Sequence, residues 1–303
     1  MPLLLLEHSL WQVNTLQWDV LVLDLDGTLL CSQGEVSEQN IHAFNIVREL
    51  GVEIVIATGR SISECKHILD AIHHRGVCIS AGGSQLTSAE GKTIARGVVD
   101  ATIVQEVTEK MIASGHRSLL LKDATACDVQ YVLVGDAALH EASKWWFDTH
   151  DVSVQEVCSV EEDPWPDDTL RVGAIADEKE LLPIAQQLER SLEGRAKLQH
   201  WSAVTCSEAT GSSTHLLEVF GYEVNKWSML KRHLGESIQS ERIAAIGDGL
   251  NDVEVLREAG ISIVMENANE HVQQYADVLA GHHNKHGFAG AMHRWIIPGN
   301  SKP

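Results

Sequence analysis

Two kinds of hydrophobic pattern alternate along this chain. Short β-branched and Leu-rich blocks occur at Asp19–Leu25 (DVLVLDL), Val52–Ala57 (VEIVIA), Val77–Ser80, Arg242–Ile246 and Ile261–Met265. They hold too few polar positions for half-exposed strands, so they predict strands buried on both faces. Between them apolar residues recur at helical spacing. Ile41, Phe44, Val47 and Leu50 lie between a Ser37 N-cap and Gly51, and Ile62, Cys65, Ile68, Leu69 and Ile72 form a second set. Lys226–Leu234 is closed by Gly235 and Asn251–Ala259 by Gly260, and further helices are predicted near 268–275 and 287–295. Strands alternating with helices in this way predict a parallel sheet with crossover helices.

The pattern changes between about Ser84 and Ala203. Strand-like runs at Thr93–Val99, Ser118–Leu121, Tyr131–Val134 and Arg171–Ile175 accompany helical patterns at Gln105–Ile112 and Glu178–Leu192. An acidic, Pro-bearing loop, Glu161–Asp168, interrupts them. Past Gly211, Leu216–Val219 reads as a short strand with which the first pattern resumes. The expected organisation is α/β: a Rossmann-like parallel-sheet core built from residues 1–83 and 204–303, with an α/β unit inserted at 84–203.

The strand ends change the picture from fold to chemistry. In open parallel sheets, ligands bind at the carboxyl ends of the strands. The first strand ends in DLDGT (Asp24–Thr28), the second in TGR (Thr58–Arg60), and Arg242–Ile246 runs into GDGLND (Gly247–Asp252). Asp24 and Asp26, one residue apart, repel each other unless a cation or a shared proton intervenes. With Asp248 they form a hard-oxygen set suited to Mg²⁺. Gly27, Gly247 and Gly249 permit tight turns and close backbone approach. Each motif alone has a plainer explanation: DxD as a turn or cap, TGR and GDGxND as turns, Lys226 as a surface lysine. Their joint occurrence at the right ends of the right elements favours a shared site.

DLDGT, TGR, a lysine opening a helix and GDGLND, in that order, resemble the four-motif set of the haloacid dehalogenase superfamily. The insertion of roughly a hundred residues between the second motif and the lysine resembles its Cof-type phosphatases. The resemblance runs from about Val20 to Trp295 and implies a phosphoric monoester hydrolase whose insertion is a cap. It implies that Asp24 is the nucleophile that becomes an aspartyl phosphate, and that Asp26 is the general acid–base, with its pKa raised for the first step. Thr58 would hydrogen-bond the phosphoryl oxygens, and Lys226 would offset charge on nucleophile and phosphoryl group. Mg²⁺ would be held by the Asp24 carboxylate, the Asp26 carbonyl and Asp248. Asn251 would touch phosphate, Asp252 would hold the surrounding shell, and Gly59 and Arg60 would line the substrate's anion. For Arg60 a structural ion pair is an equal alternative.

The chain departs from the family pattern twice. The third strand ends in Ala81-Gly82-Gly83-Ser84 rather than Asn-Gly, which affects a loop contact near the cap hinge. Near the C-terminus, Asn284-Lys285-His286-Gly287-Phe288 replaces an acidic pattern at the pocket rim. His282, His283 and His286 read as a solvated loop. Trp145 and Trp146 read as packing in the insertion, with a reach to substrate as the lesser alternative, and Trp11 and Trp18 as packing on the core.

Composition narrows the partners. The 303 residues are 44% apolar and 22% charged, a globular balance that excludes wholesale disorder. With 23 basic and 43 acidic residues the net charge is −20, which opposes general binding to nucleic acid. An anionic small substrate then needs a metal or a few placed cations to reverse the local sign. Six cysteines, at 31, 65, 78, 127, 158 and 206, form no CxxC pair and read as reduced thiols of a cytoplasmic protein. The apolar run Leu3–Leu6 is too short for a signal peptide, and no stretch reaches the ~20 apolar residues of a membrane span. The expected partner is a small phosphorylated metabolite: a sugar phosphate, or a phosphorylated cofactor such as flavin mononucleotide or pyridoxal phosphate. The rival readings are a phosphomutase or phosphotransferase using the same aspartyl phosphate, and a non-catalytic phosphometabolite-binding protein. The dehalogenases lack the second Asp, and the transport ATPases need membrane helices. The oligomeric state stays open.

Overall fold

The strand β1 (Val20–Leu23) is apolar at every position because both of its faces are covered. Its period of two sends Leu21 and Leu23 into one core with Ile54, Ile56, Ala244 and Ile246. Val20 and Val22 enter another with Val55, Ala57, Ile243 and Ala245. The structure, a computed structural model, describes residues 17–202, 214–235 and 239–298. Leu3–Leu6, Trp11, Cys206 and Gly211 lie outside the described residues, whereas Trp18 packs in the first core as expected.

After β1 come β2 (Glu53–Ala57), β3 (Cys78–Ser80), β4 (Gln85–Thr87) and β5 (Thr93–Arg96). Then follow β6 (Ser118–Lys122), β7 (Tyr131–Val134), β8 (Val154–Val157), β9 (Thr169–Asp177), β10 (Ala196–Ser202) and β11 (Thr214–Gly221). The chain closes with β12 (Ile243–Gly247), β13 (Ile261–Met265) and β14 (Val278–Ala280). One sheet has the order β14-β13-β12-β1-β2-β3-β4-β5, parallel from β14 through β3. The other has the order β10-β11-β9-β6-β7-β8 and is antiparallel except for β7 with β8. The α/β architecture with a Rossmann-like core is therefore present.

Sheet membership differs from the expected divisions at 83/84 and 203/204. β4 and β5, expected in the insertion, extend the first sheet by antiparallel pairing beyond β3. Leu216–Val219, expected to resume the core, lies inside β11, between β9 and β10 of the second sheet. Leu217 and Val219 bury there with Val172 and Ala174. An apolar run reports burial on a sheet, not which sheet, and pairing partners settle the rest.

The helices follow their caps. Ser37 Oγ accepts from Asn40 N at the head of helix Glu38–Glu49, and Asn225 Oδ1 accepts from Ser228 N at the head of Lys226–Leu234. Helices Ala101–Ala113 and Glu178–Ser191 cover one face of the second sheet. Among the described residues, no helix is long and apolar enough to cross a membrane.

Candidate active site

Register explains why distant motifs meet. In the parallel pairings of β1, Leu23 lies opposite Ile246 of β12 and Ile56 of β2. The residues that follow, Asp24, Gly247-Asp248 and Thr58, therefore emerge side by side at one sheet edge. Lys226 reaches the same place as the first residue of its helix. That helix start lies so close to the loop after β3 that a Cβ on Gly83, at φ +108°, would meet Asn225 C at 2.2 Å.

The centre is a buried charge cluster. Lys226 Nζ donates to Asp24 Oδ1 at 2.7 Å and to Asp252 Oδ1 at 2.6 Å, and Lys226 is fully buried. Asp252 Oδ2 accepts from the backbone N–H of Asp248 (3.1 Å) and Gly249 (2.9 Å), shaping the GDGLND turn. Asp248 accepts from Thr28 Oγ1 at 3.3 Å and from Asn267 Nδ2 at 3.0 Å. Asn267 Nδ2 also donates to Gly27 O at 2.8 Å. A Cβ on Gly27, where φ is +73°, would lie 2.1 Å from Asp248 Oδ2, so the turn after β1 admits only glycine. Thr58 is buried, and its Oγ1 accepts from Arg60 N at 3.2 Å.

Three carboxylates therefore face one ammonium. Burial, then the neighbouring charge of Asp252, pushes the Asp24 carboxyl well above the usual range, although Lys226 opposes them. Burial and Asp252 likewise push Asp248 up to about 7. Burial works against charge on Lys226, but Asp24 and Asp252 outweigh it and hold that pKa above the ordinary value. Carboxylate oxygens of Asp24, Asp248 and Asp252 lie within 4.8 Å of one another. An all-oxygen donor set with surplus negative charge fits a hard divalent cation such as Mg²⁺. The grouping includes the Asp252 carboxylate, assigned from the sequence to the surrounding shell. The Asp26 side chain is not part of it.

Asp26 instead pairs with Arg60, which donates from Nε to Oδ2 at 2.8 Å and from Nη2 to Oδ1 at 2.6 Å. The Arg60 guanidinium also sits 5.6 Å from the ring centre of Trp146. Trp146 Nε1 donates to Glu64 Oε1 at 2.6 Å, joining the helix Glu141–Thr149 to the helix Ile62–Ala71.

A cavity of about 470 Å³ opens above the cluster. Asp24, Asp26, Gly59, Arg60, Asp248 and Asn251 line its floor, and Trp145, Trp146 and Trp201 stand among its walls. Trp145 and Trp146 are thus cavity residues, against the expectation of packing. Their place follows from β6–β9, which turn a face toward the first sheet. Thr28 lies within DLDGT but was given no role, and Asn267, Glu64 and Glu218 are site neighbours that motif reading missed. Of these last three, Asn267 carried a usable signal, as a polar residue just beyond the carboxyl end of a core strand. His283 and His286 bond Leu30 O and Ser37 Oγ and hold the C-terminal loop.

A family model described as haloacid dehalogenase-like hydrolase matches residues 21–292. The chain is 25% identical over 285 residues to the 5-amino-6-(5-phospho-D-ribitylamino)uracil phosphatase YcsE of Bacillus subtilis, covering 92% of this chain and 96% of that one. It is 28% identical over 251 residues to the HMP-PP phosphatase of Citrobacter koseri, covering 81% and 83%. A solved haloacid dehalogenase-like hydrolase from B. subtilis shares the fold at a TM-score of 0.74 and 21% identity, over 92% of this chain and 100% of that one.

Proposed function

This chain belongs to the haloacid dehalogenase-like hydrolases, and from that premise we propose that it is a Mg²⁺-dependent phosphatase of a small phosphorylated metabolite, acting through an aspartyl phosphate on Asp24. The observation that carries the reading is the bond of Lys226 to both Asp24 and Asp252, beneath an open cavity that Asp24 and Asp248 line. YcsE and the HMP-PP phosphatase, named for phosphorylated small molecules, support the substrate class.

Asp24, Asp248 and the Asp26 carbonyl would hold the ion, with Asp252 fixing the turn that presents Asp248. Bound there, Mg²⁺ would neutralise phosphoryl charge. In the first step a carboxylate oxygen of Asp24 bonds to phosphorus, the bond from phosphorus to the leaving oxygen breaks, and Asp26 gives that oxygen its proton. In the second step water attacks phosphorus, Asp26 takes its proton, and the bond to Asp24 breaks to release phosphate. Lys226 keeps Asp24 oriented and offsets charge on the equatorial oxygens, and Thr58 and Asn251 donate to them.

Arg60 holds both oxygens of Asp26, so that pair must open before Asp26 reaches a leaving oxygen. The entering phosphate competes for the guanidinium, which couples binding to release of the acid. The second sheet acts as a cap that excludes bulk water. The test is phosphate release from a panel of phosphorylated metabolites with and without Mg²⁺, for the parent and Asp24→Asn. Release that needs both Mg²⁺ and Asp24 is expected; full activity in a folded Asp24→Asn protein would sink the mechanism.

A further inference from the structure

Release of Asp26 from Arg60 requires one partner to stay in place while the other moves, and the structure makes Arg60 the fixed one. Its side chain is 14% exposed, against 34% for Asp26. Its backbone N–H donates to Thr58 Oγ1 at 3.2 Å, and its carbonyl accepts from Ala81 N at 2.6 Å. Among the described residues, the Asp26 carboxylate takes its hydrogen bonds from Arg60 alone. The orientation of the candidate acid is therefore set by where the guanidinium lies.

A side chain from the inserted unit holds that guanidinium. Its carbon lies over the Trp146 ring, 5.6 Å from the ring centre, within reach of a cation–π attraction. Trp146 belongs to the helix Glu141–Thr149, which connects β7 to β8 of the second sheet. The ring is fixed in turn. Its N–H donates to Glu64 Oε1 at 2.6 Å, and it stacks with His150 at 3.8 Å between centroids and 27° between planes. Glu64 is 4% exposed and is itself committed, because Oε2 accepts from Ser61 N at 2.7 Å in the capping box of helix Ile62–Ala71. From β9, Arg171 Nη1 donates to Gly59 O at 3.3 Å, one residue before Arg60. The inserted unit therefore holds the TGR turn at two points, the Gly59 backbone and the Arg60 guanidinium.

We propose that Trp146 is a positioning residue for the candidate acid: held by Glu64, it keeps the Arg60 guanidinium stationary while Asp26 swings from it toward the leaving oxygen. The inference rests on the phosphatase reading above and adds to it a residue of the inserted unit that acts through Arg60. Without the ring, the guanidinium is free to follow the Asp26 carboxylate, and the two then move as one ion pair instead of parting.

The readout is the dependence of kcat/KM on leaving-group basicity, since a general acid matters most for esters whose leaving oxygen most needs a proton. Phenyl phosphates carrying para nitro, hydrogen or methyl keep size and shape nearly constant while that basicity rises. With Mg²⁺ present, Asp26→Asn is expected to lose far more on phenyl phosphate than on p-nitrophenyl phosphate. Trp146→Leu shows the same selectivity in weaker form, losing about tenfold on phenyl phosphate and at most about threefold on p-nitrophenyl phosphate. Arg60→Lys, which cannot bond the carboxylate through two nitrogens, behaves alike. Adding Trp146→Leu to Arg60→Lys costs less than about twofold more on phenyl phosphate, because both changes act through one guanidinium. Trp146→Phe keeps a ring and loses the indole N–H; it gives a smaller loss with the same selectivity and carries the test if Trp146→Leu does not fold. Equal loss on every ester overturns the inference and leaves the phosphatase reading standing, because the ring then only packs or meets substrate. So does full additivity with Arg60→Lys. Phosphate from every ester with no steeper dependence in Asp26→Asn overturns the assigned acid, and the inference with it. No phosphate from any ester overturns the phosphatase reading as a whole.

Discussion

Replacing Lys226 by Met removes the ammonium while nearly preserving volume. Asp24 and Asp252, 5% and 2% exposed, then face each other without their shared donor. Removing one partner from a buried ion pair costs about 3–5 kcal/mol, because the charge left behind keeps its desolvation penalty. Set against a total stability of roughly 5–15 kcal/mol, that is a large share. At roughly 2–4 °C per kcal/mol for a chain of this size class, Tm should fall by about 6–20 °C. Differential scanning calorimetry in metal-free buffer near neutral pH measures it. Lys226→Met/Asp252→Asn should recover part of the loss, since one of the two uncompensated carboxylates becomes neutral. A Lys226→Met protein melting within about 2 °C of the parent would refute the reasoning, because the charges would then not be coupled through the lysine.

Other substitutions separate the site from the scaffold. Gly27→Ala puts a methyl 2.1 Å from Asp248 Oδ2 at a backbone φ of +73°, so isothermal titration should show weakened Mg²⁺ binding; a parent-like Kd would contradict the steric argument. Lys122→Met breaks a buried pair on the second sheet, where Lys122 Nζ donates to Asp163 Oδ2 at 2.5 Å. It should lower Tm by an amount similar to Lys226→Met while sparing kcat in the folded enzyme, and loss of turnover would show the two sites to be linked. His74 is buried, and burial first, with Arg48 and Arg75, lowers its pKa below 6.5, although a hydrogen bond to Val77 O opposes them. A depressed histidine means that the unfolded chain binds more protons, so its contribution is full above pH 6.5 and is lost as pH falls through the folded pKa. His74→Gln should therefore show a smaller drop in Tm between neutral and mildly acidic buffer; an unchanged drop would remove His74 as its source.

The floor of the candidate site was more legible in the sequence than the chamber above it. Asp24, Thr58 and Asp248 follow strands whose two-sided burial marks them as central, and a parallel sheet delivers the ends of such strands to one edge. The chamber is built by pairing across an antiparallel sheet, and pairing partners leave little trace in one strand's composition. β11 therefore read as a core strand, and β4 and β5 as part of the insertion. Trp145 and Trp146 read as packing because an aromatic residue on a helix looks the same whether it faces a core or a cavity. Arg60 could not be decided from the sequence, since TGR fixes its position but not its partner; the structure gives that partner as Asp26. Ala81 is a subtler case. It stands at φ +50°, where the family's Asn is tolerated more readily, and it is held by its N–H on Arg60 O at 2.6 Å. The departure from Asn was visible in the sequence, but the backbone conformation that gives it meaning was not.

The central claim is that phosphorus passes through the Asp24 carboxylate. The direct measurement is mass spectrometry of peptides from a reaction quenched in acid during turnover with Mg²⁺ and a hydrolysable ester. The account predicts a peptide containing Asp24 that carries one added phosphoryl group, absent when Mg²⁺ is withheld and absent in Asp24→Asn. Sustained phosphate release with that peptide never labelled, or with the label on another residue, would contradict it.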